Sequence, residues 1–375
     1  MITFQDAIAT LTPADMVQVA REARPSSEYA LMDFLPDELR PGYDVGTATM
    51  TIKPTMAGMV GTDSVFPPGG AMEIARFMQR TAKLAISIPI SEEMLRDVQA
   101  FQAAQIIAGA TVNNETVVEQ AFGFYRGVVL QSLWDRKEWL RGQALGYGAI
   151  QWRFGDSSLS IDYGLPTGNR LPERTIANGD AYHLTGSKFW DDVRAMQKVF
   201  RVGGGIVGVL HPDTIDAIIT NSANDIFVAS DADGVFRLRR YANIKGNTQL
   251  SDDARDSVTL MSYGQGGEII DPDKTDGTTK IVNFFDPGRI AWIGRGVDRG
   301  WRVTQGARPD PANDFALGYY HVAPTVEGGG VAGAWGRLLT PQDYPWMLRG
   351  EAVENGLPVI LNPKRLVIAV SEMPA

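Results

Sequence analysis

The first ninety residues constrain this chain most, because they look structured but carry no pattern that would bury them against one another. Residues 24–43 are predicted to form an extended arm. Three prolines interrupt this arm, and it carries three large apolar residues: Pro25, Pro36 and Pro41, and Phe34, Leu35 and Leu39. A lone extended segment has no core, so another surface must cover these side chains.

Two stretches after the arm, 45–53 and 83–90, alternate apolar and polar residues with the period of a β-strand. Residues 54–82 between them are rich in Gly, Met and Pro, which predicts a long loop. A hairpin alone is marginally stable, and ordering each residue costs about 1–2 kcal/mol of backbone entropy. We therefore expect neighbouring copies of the chain to cover both the arm and the hairpin.

The composition excludes several classes of protein. The chain has no cysteine, which excludes disulfides, thiolate metal sites and cysteine nucleophiles. Its net charge of −9 argues against a protein that mainly grips nucleic-acid phosphates, because such binding needs many Lys and Arg contacts. Its 375 residues suffice for two or three domains. We expect neither a secretory signal nor a membrane span, because no long apolar run occurs.

The middle of the chain predicts helices and a hairpin. One helix is expected over residues 91–107 and a longer one over 114–141, where apolar residues recur at i+3 and i+4. The longer helix would extend about 40 Å. Glycines just beyond residue 141 are expected to end it, and residues 149–166 predict two short strands around a turn. A third helix is expected over 187–200.

The rest of the chain indicates an α+β fold. Between residues 205 and 331, short strand candidates alternate with turns, and one helix is expected after His211. Residues 357–373 add two strands separated by Pro363. This pattern lacks the regular strand and helix alternation of a doubly wound sheet.

Motifs for catalysis or cofactor binding are weak. Two G-x-G-x-x-G segments begin at Gly203 and Gly328, but neither lies between a strand and a helix as a dinucleotide site requires. No H-E-x-x-H or G-x-S-x-G pattern occurs. The histidines are isolated from one another: His183, His211 and His321. We therefore predict no catalytic residue and no cofactor, and we expect the chain not to be an enzyme.

Acidic residues do not predict a metal site either. Asp271, Asp273 and Asp276 miss the ligand spacing of a calcium loop, so an exposed turn is the better interpretation. Adjacent carboxylates, such as Asp191 and Asp192, point in different directions on a helix. We interpret that pair as charge at a helix N-terminus.

A basic stretch from Arg289 to Arg308 includes Trp292 and Trp301. Arginine beside aromatic residues can bind single-stranded nucleic acid, but the same types anchor protein interfaces. The acidic net charge favours the interface, for which the candidates are Arg295, Arg299 and Trp301.

Three segments carry a resemblance to a known family: 34–58, 140–166 and 356–370. Their order, from arm and projecting hairpin through a long helix to a return strand, resembles major capsid proteins of tailed bacteriophages with the Hong Kong 97 fold. The lambda-type branch is the most similar. In this family the arm and the extended loop lie over adjacent subunits.

The resemblance implies a division of the chain. It places an N-terminal arm at 1–44, an extended β-hairpin loop at 45–90, and a peripheral domain with the long spine helix at 91–168. An axial domain follows at 169–345. The C-terminal strands at 346–375 are expected to return to the peripheral domain.

The resemblance also implies a function and partners. It implies a structural subunit that assembles into pentamers and hexamers of an icosahedral head around double-stranded DNA, without sequence-specific DNA binding. The virion would form in the host bacterial cytoplasm. Residues 54–82 contain no lysine, so the isopeptide crosslink of some members is not expected. A portal, a separate scaffolding protein and a possible decoration protein are the implied partners.

The candidate contacts between subunits are apolar residues of the arm and loop, with the basic stretch. Methionine suits surfaces that repack between slightly different environments. The candidates are Phe34, Leu35, Leu39, Met50, Met56, Met59, Phe66, Met72, Phe77, Met78, Arg295, Arg299 and Trp301. Two alternatives stay open: the shell protein of an encapsulin-type nanocompartment, and an α+β enzyme of unknown substrate.

Overall fold

The computed structural model describes most of the chain. The described residues are 18–19, 28–53, 71–90, 93, 96–97, 100, 119, 122–154, 157–200, 205–230, 234–244, 247–250, 256–270, 279–294, 301–305, 315–339 and 348–374. Most of the helix predicted over 91–107 lies outside the described residues, and the few described positions there are helical. The acidic residues near 273 also lie outside the described residues.

Long-range pairing organises the strands into two large sheets and three small ones. In chain order the strands are β1 Asp37–Leu39, β2 Asp44–Lys53, β3 Ala71–Arg80, β4 Ala82–Ile90, β5 Ala149–Phe154, β6 Ser157–Asp162, β7 Ile206–Leu210, β8 Ile226–Ser230, β9 Val235–Ile244, β10 Asn247–Leu250, β11 Ser257–Ser262, β12 Gly266–Ile270, β13 Thr279–Asn283, β14 Arg289–Gly294, β15 Trp301–Gln305, β16 Gly318–Ala323, β17 Trp335–Leu339, β18 Leu348–Ile360 and β19 Leu366–Val370. The α-helices are α1 Gln131–Tyr147, α2 Phe189–Phe200 and α3 Pro212–Thr220.

The helix predicted over 114–141 is confirmed from residue 122 onward, but it ends later than expected. A π-helical segment, Tyr125–Leu130, leads into α1, which stops at Gly148 in the left-handed conformation (φ 63°). Gly142 lies inside the helix, where a Cβ would lie 1.7 Å from the carbonyl oxygen of Phe284. Gly142 therefore allows the backbone of Phe284 to approach the helix, whereas Gly148 ends the helix.

Strand β18 forms the centre of a five-stranded sheet. One edge of β18 pairs with β16 and then β17, and its other edge pairs antiparallel with β4. The π-helical segment packs closely on this sheet, because a Cβ at Gly350 would lie 2.7 Å from Cγ2 of Val129. Buried apolar residues of α1 and β18, including Leu133, Leu140 and Leu357, share one core.

A seven-stranded sheet forms the second core. Its order is β10-β9-β11-β7-β14-β19, with β8 on β9. Helices α2 and α3 pack on one face through residues such as Phe189 and Ile215, which meet Leu260 and Trp292 of the sheet. This arrangement is a mixed, mainly antiparallel sheet with helices on that face, so the α+β prediction is confirmed.

Strand membership differs from two of the expected boundaries. β16 and β17 fall within 169–345, which was expected to be axial, but they pair in the five-stranded sheet with β18. β19 falls within 346–375, but it pairs with β14 in the seven-stranded sheet. Local patterns identify strands but not their distant partners, which is why these assignments differed.

Three small sheets complete the described structure. The predicted hairpin after the long helix is confirmed by β5 and β6, which pair from Ala149 and Asp162 onwards. β12 and β13 form a second hairpin. β2 pairs with β3 on one edge and with β15 on the other, and we call these three strands the hairpin sheet.

Candidate assembly site

The segment from Tyr29 to Leu39, here called the arm anchor, is embedded in its own chain. Tyr29, Leu31, Phe34 and Leu35 are buried in the core that includes the long helix. The expectation that the arm has no partner inside its own molecule is therefore wrong for this part. Phe34 and Leu35 cannot serve as contacts between subunits while they occupy this core.

Backbone hydrogen bonds attach the arm anchor to the five-stranded sheet. β1 runs parallel to β16 along that sheet's edge. The amide of Leu317 donates to the carbonyl of Phe34 (2.9 Å), and the amide of Tyr320 donates to that of Pro36 (2.7 Å). Beyond β1, the amide of Arg40 donates to the carbonyl of Val322 (2.9 Å). The sheet thus satisfies backbone groups that an isolated arm would leave to water.

Five charged side chains lock the arm anchor to the long helix and to β18; we call them the ionic cluster. Lys137 of α1 donates a hydrogen bond to Asp37 of the arm (2.5 Å). Its Nζ also lies 2.9 Å from Oε1 of Glu354 and forms an ion pair with it, without the alignment of a hydrogen bond. Arg141 pairs with Asp37 and with Glu138 (2.9 Å). Both cations are almost fully buried.

Neutral groups satisfy the remaining atoms around Glu138 and Arg141. Glu138 accepts hydrogen bonds at 2.9 Å from the amide of Leu31 and from the hydroxyl of Tyr263. Arg141 donates from Nε to the carbonyl of Leu35 (3.0 Å). Buried ion pairs need such extra hydrogen bonds, because desolvation otherwise outweighs their attraction.

The ionic cluster holds three carboxyl groups and two cations. Burial raises the pKa of Glu354; Lys137 opposes this effect, and the negative charge of Asp37 adds to it. Burial would also raise the pKa of Asp37, but the fields and hydrogen bonds of Lys137 and Arg141 lower it. Burial also raises the pKa of Glu138. Glu354 and Glu138 therefore hold a proton more readily than Asp37 does.

Two further contacts define the ends of the arm anchor. At its start, Tyr29 donates a hydrogen bond to Asp135 and accepts one from Gln131, both on α1. Just past its end, Nε2 of His321 lies 2.8 Å from the carbonyl oxygen of Gly42. Burial lowers the pKa of His321, which favours the neutral ring.

The hairpin sheet contrasts with the arm anchor. The ten residues of β2 span about 33 Å. Paired residues of a sheet lie on the same face, and alternate residues share that face. The register therefore places seven large apolar residues on one face: Met50, Ile52, Met72, Ile74, Met78, Trp301 and Val303. The same face also carries Asp44, Arg76, Arg80 and Gln305, and the other face carries mainly Thr, Ala and charged positions.

The candidate contacts thus separate into groups. The hairpin sheet brings Met50, Met72, Met78 and Trp301 to one face and places Phe77 on the other. Leu39 is 66% exposed beside the buried anchor. The remaining candidates lie outside the described residues: Met56, Met59, Phe66, Arg295 and Arg299. Sequence inspection missed Ile52, Ile74 and Val303 as members of the apolar face, although their alternation is visible.

Other patterns from the sequence have structural explanations. Trp292 of the basic stretch is fully buried in the seven-stranded sheet, so it is not a surface aromatic. Gly208 lies within β7, where a Cβ would be 2.6 Å from the Trp292 ring. Asp192 is buried and hydrogen-bonds Arg174 and Tyr182, which corrects its assignment as mere helix-end charge.

The described residues contain no group of three or more His, Asp or Glu side chains that could hold a metal ion. None of the helices among them is long and apolar enough to cross a membrane.

Comparison with known proteins supports the fold. No protein-family model and no curated protein matches the sequence. Among solved structures, a protein of an Escherichia coli CFT073 prophage, provisionally assigned as its capsid protein, matches with TM-score 0.52 and 12% identity, covering 94% of this chain and 95% of that one.

Two further solved structures are less similar. A phage-related protein from Bordetella bronchiseptica matches with TM-score 0.46 and 11% identity, over 97% of this chain and 99% of that one. An encapsulin complex from Synechococcus elongatus matches with TM-score 0.41 and 9% identity, over 93% and 88%. The chain has the Hong Kong 97-like capsid fold that the sequence analysis predicted.

Proposed function

We propose that this protein is the major capsid protein of a tailed bacteriophage, a structural subunit without catalytic activity. Copies would form pentamers and hexamers of an icosahedral head that encloses double-stranded DNA. The particle would assemble in the cytoplasm of the host bacterium. The observation that carries this proposal is the hairpin sheet with one apolar face, on a chain of this fold.

The apolar face of the hairpin sheet favours a neighbouring subunit as its cover. Complete burial of one large apolar side chain contributes about 1.5–3 kcal/mol. Seven such positions on one face, covered together by a neighbouring subunit, would add up to a strong drive for association, and contiguous apolar patches of this kind usually mark interfaces. The hairpin sheet therefore supplies a surface suited to a second copy of the chain.

The arm anchor provides a fixed base from which the hairpin sheet extends. β3 leads through Thr81 directly into β4, which pairs along nine residues with β18. β2 follows the arm anchor after a short connection. The hairpin therefore leaves the body between two segments that are hydrogen-bonded into the five-stranded sheet. A hairpin sheet bound to a neighbour would therefore stay firmly attached to the core of its own subunit.

We propose the domains that the resemblance implied, with revised boundaries. The arm covers residues 1–44. The extended loop covers 45–90, and the peripheral domain begins with 91–168. The axial domain begins at 169, and we end it after β14 instead of at 345, because β16 and β17 pair with β18. A portal, a separate scaffolding protein and a decoration protein remain the proposed partners.

Assembly of the recombinant protein tests the proposal. The chain would be purified alone and with the candidate scaffolding protein, then examined by negative-stain electron microscopy and sedimentation. We expect closed shells from the native sequence. A chain that stays monomeric under all these conditions would contradict the capsid function.

A matched pair of variants tests the apolar face. M50S/M72S places two polar residues on that face, whereas T49S/T51S alters the opposite face by single methyl groups. We expect M50S/M72S to abolish shells while the main thermal transition stays near that of the native chain, and T49S/T51S to assemble normally. Normal shells from M50S/M72S would exclude this face from the interface.

The contents of the particles distinguish the encapsulin alternative. A phage head takes up DNA when the packaging machinery is present, whereas a nanocompartment encloses a protein cargo. Absorbance ratios and mass spectrometry of particles purified from the native host would separate the two. Particles that contain a single enzyme and no DNA would overturn the phage assignment.

A further inference from the structure

In the part of the chain that the structure describes, one face of the seven-stranded sheet is only partly covered. Near β7 and β14 this face contributes Val209, Ala291 and Ile293 to the core below the long helix. At β8, β9 and β11 the same face is exposed or half-buried. We call these positions the open sheet face: Phe227, Arg237, Arg239, Tyr241, Ser257 and Thr259.

Register establishes that these residues share one face. Arg239 pairs with Ser257 on one side and with Phe227 on the other, and Arg237 pairs with Thr259. The alternate residue Leu238 is fully buried against α2 and α3. The open sheet face therefore looks away from those two helices.

The chemistry of the open sheet face is aromatic and basic. The rings of Phe227 and Tyr241 meet edge to face, with centroids 5.8 Å apart, and Phe227 is 36% exposed. Arg237 is exposed, and none of the ion pairs between described residues includes it. None of the described strand positions on this face is acidic. Arginine and aromatic residues are the types enriched at the centres of protein interfaces.

An acidic surface lies on the other side of the same sheet. Helix α3 buries Ile215 and Ile218 against the sheet and exposes Asp213 and Asp216, which are three residues apart and so share its outer face. The side chain of Asp213 is 67% exposed. The basic and acidic surfaces thus lie on different sides of the sheet, so one can meet the other in a heterologous contact between two copies.

We propose that the open sheet face binds the outer face of α3 in the next copy of this chain, within a ring of subunits. The inference rests on the proposed shell function and specifies one contact within it. Complementary charge favours this partner, because Arg237 meets Asp213 and Asp216 across the contact. DNA is a poorer partner, because binding to phosphates depends on several cations and the chain carries net charge −9.

Charge reversal tests the contact. We expect R237E and D216R each to raise the protein concentration needed for assembly at least about tenfold, because like charges would then meet across it. The double variant R237E/D216R restores opposite charges and should recover much of this loss. K198E, which reverses an exposed charge on α2, is the control and should assemble normally. Circular dichroism and thermal melting would verify that each variant is folded.

Crosslinking provides an independent readout, because the chain contains no cysteine. A chain with both R237C and D216C, treated with a short bismaleimide, should give a ladder ending at five or six subunits. Either single variant alone should give no ladder, and a mixture of the two should give dimers.

The outcomes separate the inference from the proposed function. Normal shells from R237E with no ladder would overturn the contact while leaving the capsid function intact. Normal shells from R237E that retain less DNA would reassign the open sheet face to nucleic acid and also overturn it. Failure of the native chain to form shells would instead overturn the proposed function.

Discussion

The arm anchor and the hairpin sheet are neighbours in sequence, and both looked like segments without a core, yet their surroundings differ. The anchor places Leu31 and Leu35 in the main core, and the ionic cluster closes over it through Asp37. Among the described strands, the β2–β3 hairpin pairs outside itself with the five residues of β15 alone. A segment that reaches towards a neighbour thus begins from one that is fixed in its own subunit.

The largest expected effect comes from breaking the ionic cluster. R141M would leave Asp37 and Glu138 without their guanidinium partner, and losing one member of a buried ion pair costs about 3–5 kcal/mol. Urea unfolding should show a loss of that size in the free energy of unfolding. R126A, at an exposed position in the π-helical segment that precedes α1, is the control and should change the free energy of unfolding by less than about 0.5 kcal/mol. A small effect of R141M would mean that the anchor does not depend on this cluster.

A second pair of variants compares two leucines of the same segment. Leu35 is fully buried, whereas Leu39 is 66% exposed. L35A should therefore lower the free energy of unfolding by about 2–5 kcal/mol. L39A should leave stability within about 0.5 kcal/mol and weaken assembly, if Leu39 contacts a neighbour. Equal stability losses for both variants would remove the distinction between inward and outward residues.

The pH dependence of stability should reflect the excess carboxyl group in the cluster. Burial raises the pKa of Glu354, so the folded chain holds a proton there that the unfolded chain releases above its ordinary value near 4.5. Stability from this group is therefore greatest at low pH and is lost as pH rises through the raised pKa. E354Q, which is neutral throughout, should make the free energy of unfolding less dependent on pH above 4.5. Identical profiles for E354Q and the native chain would show that Glu354 does not carry this proton.

The smallest effect is expected at an exposed ion pair near the base of the hairpin. Lys83 of β4 donates to Glu327 at 2.5 Å, and its side chain is 54% exposed. Exposed pairs contribute about 0–1 kcal/mol, so E327Q should change the free energy of unfolding by no more than that. A loss as large as that of R141M would show that surface contacts hold β4 as firmly as the buried cluster holds the arm.

Several elements follow directly from residue patterns. The alternation over 45–53 predicted β2, and the i+3 and i+4 recurrence of apolar residues predicted the long helix. The turn residues near 155 predicted the β5 and β6 hairpin. These patterns are local, so neighbouring residues suffice to express them. The sequence predicted only part of the apolar face of the hairpin sheet, because β15 could not be assigned from sequence as the third strand of that sheet.

The ionic cluster could not be predicted in this way. Lys137, Glu138 and Arg141 have the composition of a solvated helix face, and only their distant partners reveal that they are buried. Lys137 and Asp37 are separated by 100 residues in sequence. Glu354 comes from a strand near the other end of the chain. No local period distinguishes such residues from ordinary surface charges.

The sequence by itself determined the strands, the long helix and the absence of cysteine chemistry, because each depends on residue type and spacing along a short stretch. Only the tertiary structure decided that Phe34 and Leu35 are buried in their own subunit and which of the two large sheets β16, β17 and β19 join. The physical reason is that burial and strand pairing arise where distant segments meet. Their energies depend on which surfaces come together, and that information is absent from any single stretch of the chain.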